Sequence, residues 1–160
     1  MQTNKHENTN KKSPADDSQN DDREKILEKD LCYKIVGAMY GTINKYGTGF
    51  KEQIYQKALV EELEKIGLSL KEQQRINIYS IDTGKVLGVY VPDLIVEDKV
   101  IIEIKATNFT TNQDINQQRS YLKASKYEIA YLVNFGTPKI DVKRSIYTND
   151  RKFFLALLQK

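Results

Sequence analysis

The chain has 160 residues, enough for one domain with a sizeable core, and 25 Lys and Arg stand against 22 Asp and Glu for a net charge of +3. It holds one histidine, His6, and one cysteine, Cys32, which excludes a Ser-His-Asp triad, a Cys-His pair, a histidine-metal nuclease site, a Cys/His zinc site and an internal disulfide. Any catalysis therefore rests on carboxylates, lysines and tyrosines, with or without a metal, and the lone cysteine fits a reducing, cytoplasmic location.

Residues 1–25, MQTNKHENTNKKSPADDSQNDDREK, have almost no large apolar side chains and are dense in Asn, Lys, Asp and Ser. Such a segment cannot offset its ordering entropy by burial, so it is expected to be a disordered tail ahead of a domain over 26–149. It lacks the apolar stretch of a secretory signal. Nothing downstream approaches the roughly 18 consecutive apolar residues of a membrane span.

Residues 26–46 carry Leu27, Leu31, Ile35, Met39 and Ile43 at helical spacing, with Val36 alongside and Cys32 as a small buried apolar residue. The pattern ends at KYGTG, where Gly47 suits a C-cap. The GxG of YGTGF precedes a helix but follows no strand, so it is not a dinucleotide-binding loop. A second helix is predicted from about Phe50 to Ile66, stopping at Gly67, with Tyr55, Leu59, Leu63 and Ile66 as its apolar stripe. QRINIYSI reads as a strand, Asp82-Thr83-Gly84 as a turn, Val86 to Val96 as a second strand and Val100 to Ala106 as a third. A helix over 111–125, a strand over 128–135 and an edge strand IDVKRSIYT follow. NDRKFFLALLQ is predicted to be a closing helix in 150–160, N-capped by Asn149 or Asp150. The order α, α, β, β, β, α, β, β, α defines an α/β fold of the α+β kind, a mixed sheet flanked by helices.

The stretch VPDLIVEDKVIIEIKA interrupts its apolar strands with Asp93, Glu103 and Lys105. Glu103 and Lys105 are two apart, so they share a face of the sheet, and Ile102 and Ile104 take the other. With a three-residue loop, Glu97-Asp98-Lys99, Val96 pairs with Val100 and Asp93 meets Glu103. A two-residue loop without a bulge sends Asp93 to the opposite face. Carboxylates directly opposite have Cβ atoms about 5 Å apart and repel unless something positive sits between them. Lys105 partly fills that role, and a hard divalent cation fills it better. The plain alternative is a Lys105–Glu103 surface pair with Asp93 at a kink after Pro92. Glu52 extends the stripe of the second helix back by three, onto the line of core-facing side chains; equally, it complements the helix dipole. Gln117 and Tyr121, spaced i, i+4, share a face of the third helix. Basic residues outnumber acidic ones from Lys105 onward, which suits a polyanion, although charge alone fits ordinary solvated surface just as well.

GFKEQIY (Gly49-x-x-Glu52-x-x-Tyr55) is similar to the motif that names the GxxExxY protein family. Pro92-Asp93 followed by Glu103-x-Lys105 resembles the PD-(D/E)XK nuclease signature, and Gln117-x-x-x-Tyr121 resembles the QxxxY element of some branches of that superfamily. The resemblance spans about residues 28 to 147. It implies a restriction-endonuclease-like core, αβββαβ, with an extra N-terminal helix and a C-terminal helix. It further implies hydrolysis of a phosphodiester with Mg2+ (or Mn2+) held by Asp93, Glu103, the carbonyl of Ile104 and Glu52. Lys105 then positions and helps deprotonate the attacking water, or steadies the phosphate; the cation and apolar walls favour its neutral form. Gln117 and Tyr121 accompany the phosphate or a water. The substrate implied is nucleic acid, DNA ahead of RNA, approached past Arg119, Lys123, Lys126, Lys143 and Arg144. Two other readings stand beside this one. The first is a catalytically silent nucleic-acid-binding module on the same fold. The second is a protein-interaction module whose FFLALL helix docks a partner or forms a homodimer, unless that helix packs on its own core.

Overall fold

A computed structural model describes residues 27–158; the predicted tail over 1–25 lies outside the described residues, as do the last two positions. Two helices open the described residues, α1 (Lys29–Tyr46) and α2 (Glu52–Lys65). Gly47, at φ 66, ends α1 by donating its N–H to Ile43, and Gly67, at φ 79, ends α2. These are the left-handed positions that glycine occupies without a Cβ penalty. The strands β1 (Leu70–Glu72), β2 (Ile76–Tyr79), β3 (Val86–Tyr90), β4 (Leu94–Val96) and β5 (Val100–Lys105) follow. Then come α3 (Asn112–Lys123), β6 (Ile129–Asn134), β7 (Asp141–Ile146), a 3-10 turn (Asn149–Arg151) and the single-turn α4 (Phe154–Leu157).

The main sheet has the order β1-β4-β5-β6-β7, and β2 and β3 form a separate two-stranded sheet. β5 and β6 are parallel, joined by the α3 crossover; the other neighbours are antiparallel. Alternation along β5 divides the molecule into two layers. Ile102 and Ile104 join Leu94, Val96, Tyr131 and Val133 against α1 and α2, where Ile35, Met39, Tyr55, Leu59 and Leu63 are buried. Ile101 takes the opposite face with Ile95, Ala130, Leu122 of α3 and Ile76 of the hairpin. Cys32 is buried on α1 as expected. No helix among the described residues is long and apolar enough to cross a membrane.

Four details depart from the sequence expectation. Val86–Val96 is two strands, because Pro92 lacks the N–H that a ladder needs; β3 leaves to pair with β2, and β4 pairs with β1 and β5. β1 went unread because a three-residue edge strand, Leu70-Lys71-Glu72, has no periodicity of its own. Ile66 drops out of the apolar stripe: it caps the end of α2 and is 46% exposed. The closing helix is reduced to a 3-10 turn and one α turn, with Thr148 rather than Asn149 or Asp150 at the N-cap. Tertiary anchors decide this last case. The Asn149 N–H donates to Glu128, and buried Lys152 donates to the carbonyls of Ser125 and Tyr127 at 3.0 and 2.5 Å, breaking the helix at Lys152. Phe154 is fully buried and stacks on Tyr79, so this segment packs on its own chain and ties the hairpin down.

Candidate active site

The β4–β5 connection sets the site. Glu97 and Asp98 both lie at φ 53, and Lys99 donates its N–H to Val96 at 3.0 Å; positive φ at both central positions is what a type I′ hairpin turn requires. Lys99 adds one residue before Val100 pairs with Val96. The connection is therefore odd and Leu94 meets Ile102, which leaves Asp93 just outside the ladder, one step before β4 begins.

Asp93 sits where β4 has not yet begun and β5 still runs. Its Oδ2 accepts the N–H of Ile104 at 2.8 Å, and its Oδ1 accepts the Gln73 amide at 3.3 Å. The Ile104 N–H is otherwise without a strand partner on that edge, so the carboxylate extends the ladder. A residue's N–H and C=O point to the same edge of a strand. The Lys105 carbonyl accepts from Phe135 on the β6 side, so the Ile104 carbonyl opens toward Asp93.

Glu103 and Lys105 project into a cavity of about 160 Å³ between the sheet and α3, with Asp114, Gln117, Tyr121 and Tyr90 around them. Glu103 Oε1 is buried and has no hydrogen-bond partner. Burial pushes the Glu103 carboxyl up to about 7; Glu52 adds to the rise and Lys105 opposes it. Glu52 is the first residue of α2 and is exposed. It lines a neighbouring cavity of about 450 Å³ with Asp93, Gln56, Glu72 and Gln73, and its charge is felt at Glu103. The predicted residues thus fall into two adjacent groups. Glu103, Lys105, Gln117 and Tyr121 share one cavity, and Glu52 and Asp93 share the next. No three Asp, Glu, His or Cys side chains among the described residues are already gathered around one point as a metal cage. The donor set nonetheless suits a hard cation: oxygen ligands throughout, and one buried carboxylate oxygen with nothing else to satisfy it.

Two polar residues around Glu103 escaped the sequence reading. Asp114 lies 3.6 Å from the Lys105 amine, so the wall beside Lys105 is not apolar. Its Oδ2 also accepts the N–H and hydroxyl of Thr111, and the Asp114 N–H donates back to the Thr111 hydroxyl. That capping box, led by the Thr111 hydroxyl, holds the Asp114 carboxyl below the usual carboxylate range. Thr111-x-x-Asp114 was visible as a helix start; its contact with Lys105 is not local and was not. Thr111→Ala should lower the unfolding free energy by about 1 kcal/mol, read as a shifted urea midpoint. An unchanged midpoint would mean that the cap contributes nothing. Gln118 is the second omission. It is buried, accepts from Ser145 at 2.9 Å, and leaves its own Nε2 unpaired. Of the predicted basic approach, Arg144 is turned to the far side of the sheet, donating to the Leu27 carbonyl at 2.8 Å. Lys143 pairs with Asp141, and Arg119 and Lys123 line a separate cavity beside Tyr147.

A mixed sheet with an aspartate at a strand kink, bonded to the backbone of a neighbouring strand that carries Glu-x-Lys, is the arrangement of a PD-(D/E)XK fold. Residues 29–145 match the family model of the PD-(D/E)XK nuclease superfamily, and the chain belongs to that superfamily. No curated protein matches it in sequence. Among solved structures it is similar to an alkaline exonuclease (LHK-Exo) from Laribacter hongkongensis, at 16% identity and a TM-score of 0.44, over 68% of this chain and 66% of that one. It is also similar to SSO0001, at 21% identity and a TM-score of 0.42, over 67% of this chain and 55% of that one. The chain thus spans less than two thirds of the length of either.

Proposed function

We propose that this chain is a nuclease of the GxxExxY type that hydrolyses phosphodiester bonds of nucleic acid, DNA ahead of RNA, with Mg2+ or Mn2+ in the cytoplasm. The catalytic unit is residues 26–149. The observation that carries the reading is Glu103: a carboxylate buried in a cavity beside Lys105, with one oxygen unpaired, on the strand whose Ile104 N–H donates to Asp93. A carboxylate held there without a counter-ion is costly, and a site that binds a cation accounts for that cost.

Asp93, Glu103 and the Ile104 carbonyl are the residues that would hold the ion, with Glu52 reaching in from the start of α2. When bound, a divalent ion lowers the pKa of its water and stabilises charge on the phosphate oxygens. Asp93 also fixes its own position through the Ile104 N–H, which ties the loop before β4 to the end of β5. Lys105, with Asp114 3.6 Å away, is suited to steady the phosphate. Gln117 and Tyr121 lie along the helix that forms the other wall. The anionic phosphate approaches a cavity where Lys105 offsets the acids.

Incubating the protein with plasmid, linear duplex, single strands and RNA in Mg2+ or Mn2+, with EDTA controls, tests this. Cleavage should require the metal and vanish in Asp93→Ala and Glu103→Ala, and calorimetry should show Mn2+ binding lost in the same variants. Cleavage that persists in both variants would indicate a contaminant and remove the case. Salt-sensitive binding without cleavage would favour the silent module.

A further inference from the structure

The cavity above Glu103 is bounded by two tyrosines from different elements, Tyr90 at the end of β3 and Tyr121 on α3. Their ring centroids are 3.7 Å apart and their planes differ by 8°. Two like aromatic rings face to face set negative π-faces against one another, and such pairs prefer an offset or an edge-to-face contact. Both rings are half-buried, and Tyr90 also packs against the apolar cluster of Ile76, Ile95 and Leu122. Tyr90 belongs to the separate hairpin, outside the main ladder, and the exposed Val91 follows it into the kink at Pro92. The ring pair thus stands at the mouth of the candidate active site, each ring with one face against the other and one turned away from it.

We infer that Tyr90 and Tyr121 stack an unpaired nucleobase, so that the site takes single-stranded nucleic acid in preference to duplex. This rests on the nuclease reading above. A base stacks on an aromatic side chain with about 1–3 kcal/mol per base and needs a free face to do so. In a duplex both faces of every base are covered by their neighbours. The cavity beneath is small, about 160 Å³, and Glu103 Oε1 at its wall is fully buried. A backbone phosphate reaches that depth past the tyrosines on a strand separated from its complement. Tyr121 belongs to the resemblance already described, whereas nothing in the sequence assigned a role to Tyr90.

The test reads stacking without catalysis. In EDTA, a single strand carrying 2-aminopurine should show fluorescence quenching on binding that the same strand in a duplex does not. Tyr90→Leu should abolish the quenching and Tyr90→Phe should keep it, with circular dichroism showing that both fold. In Mn2+ the wild type should cut the single strand at least about tenfold faster than the duplex, the equivalent of one stacked base, and Tyr90→Leu should lose that preference. Quenching unaltered in Tyr90→Leu, or duplex bound and cut as readily as single strand, overturns the inference. Quenching as expected with no cleavage of any substrate supports the stacking and defeats the nuclease reading; cleavage without Tyr90-dependent quenching does the reverse.

Discussion

Glu103→Gln should destroy activity and stabilise the metal-free protein at once. Loss of a ligand that helps place a Lewis acid removes several kcal/mol of transition-state stabilisation, so cleavage should fall on the order of a thousandfold. The stability effect follows from burial. The Glu103 carboxyl is pushed from an ordinary 4.5 up to about 7, first by burial and then by Glu52, with Lys105 opposing. Between those two values the folded protein holds a proton that the unfolded chain has released. Stability of the metal-free wild type therefore falls as pH rises from 4.5 through 7, and the full penalty is present above 7. That penalty is at most about 3 kcal/mol, at 1.36 kcal/mol per pKa unit. The glutamine is neutral at every pH, so the variant should be more stable than wild type at pH 8 by about 1–3 kcal/mol in EDTA and nearly equal at pH 4. Urea unfolding across pH in EDTA measures this. Saturating Mn2+ should then reverse the order, because only the wild type binds the ion and gains stability by mass action. A variant less stable than wild type at pH 8 without metal would show that Glu103 already has its partner, and that no cation is called for.

The parts of this site set by local geometry were legible in the sequence. A three-residue connection after Val96 pairs Val96 with Val100 and Leu94 with Ile102, and Glu97 and Asp98 take the positive φ that closes it. The i, i+2 spacing of Glu103 and Lys105, the i, i+4 spacing of Gln117 and Tyr121, and the buried stripe Tyr55, Leu59 and Leu63 are likewise properties of a single strand or helix. What was not legible depends on distant pairing. Pro92 interrupts the ladder by its missing N–H, but whether the strand bulged or broke there depended on β3 pairing with β2 apart from the main sheet. Tyr90 looks like any aromatic in a strand until α3 brings Tyr121 to it. Lys105 meets Asp114 for the same reason, through a crossover whose geometry no local pattern contains. The closing helix failed because Asn149, Lys152 and Phe154 each have a stronger tertiary partner than the helix offers.

Gly136→Ala should be the most damaging substitution outside the candidate ligands, although position 136 looks like an ordinary loop glycine in the sequence. A Cβ added there would lie 2.5 Å from the Ala106 carbonyl carbon, 2.5 Å from the Thr107 nitrogen and 2.7 Å from the Thr107 oxygen. All three are backbone atoms, so no side chain can turn aside, and the chain leaving β5 must move. That chain is held to β6 by Asn134, which is fully buried. Its Oδ1 accepts the N–H groups of Thr107 and Gly136 at 3.1 and 3.0 Å, and its amide donates to the hydroxyls of Thr107 and Thr110. Displacing Thr107 breaks this set of bonds and leaves buried polar groups unpaired, so the expected cost is about 3 kcal/mol or more. Lys105 is two residues upstream of Thr107, and its carbonyl accepts from Phe135, next to Gly136. A shift of about 1 Å at a catalytic group costs on the order of a hundredfold in rate, so the fraction that still folds should cleave about that much more slowly. Glycine to serine should be no gentler, because it brings the same Cβ. Asn134→Ala removes the same bonds without bringing bulk to position 136 or a charge to a buried site, which separates the polar from the steric contribution. Urea midpoints and single-turnover rates of the three variants decide it, and a Gly136→Ala protein with wild-type stability and rate would show that the two loops do not approach each other as described.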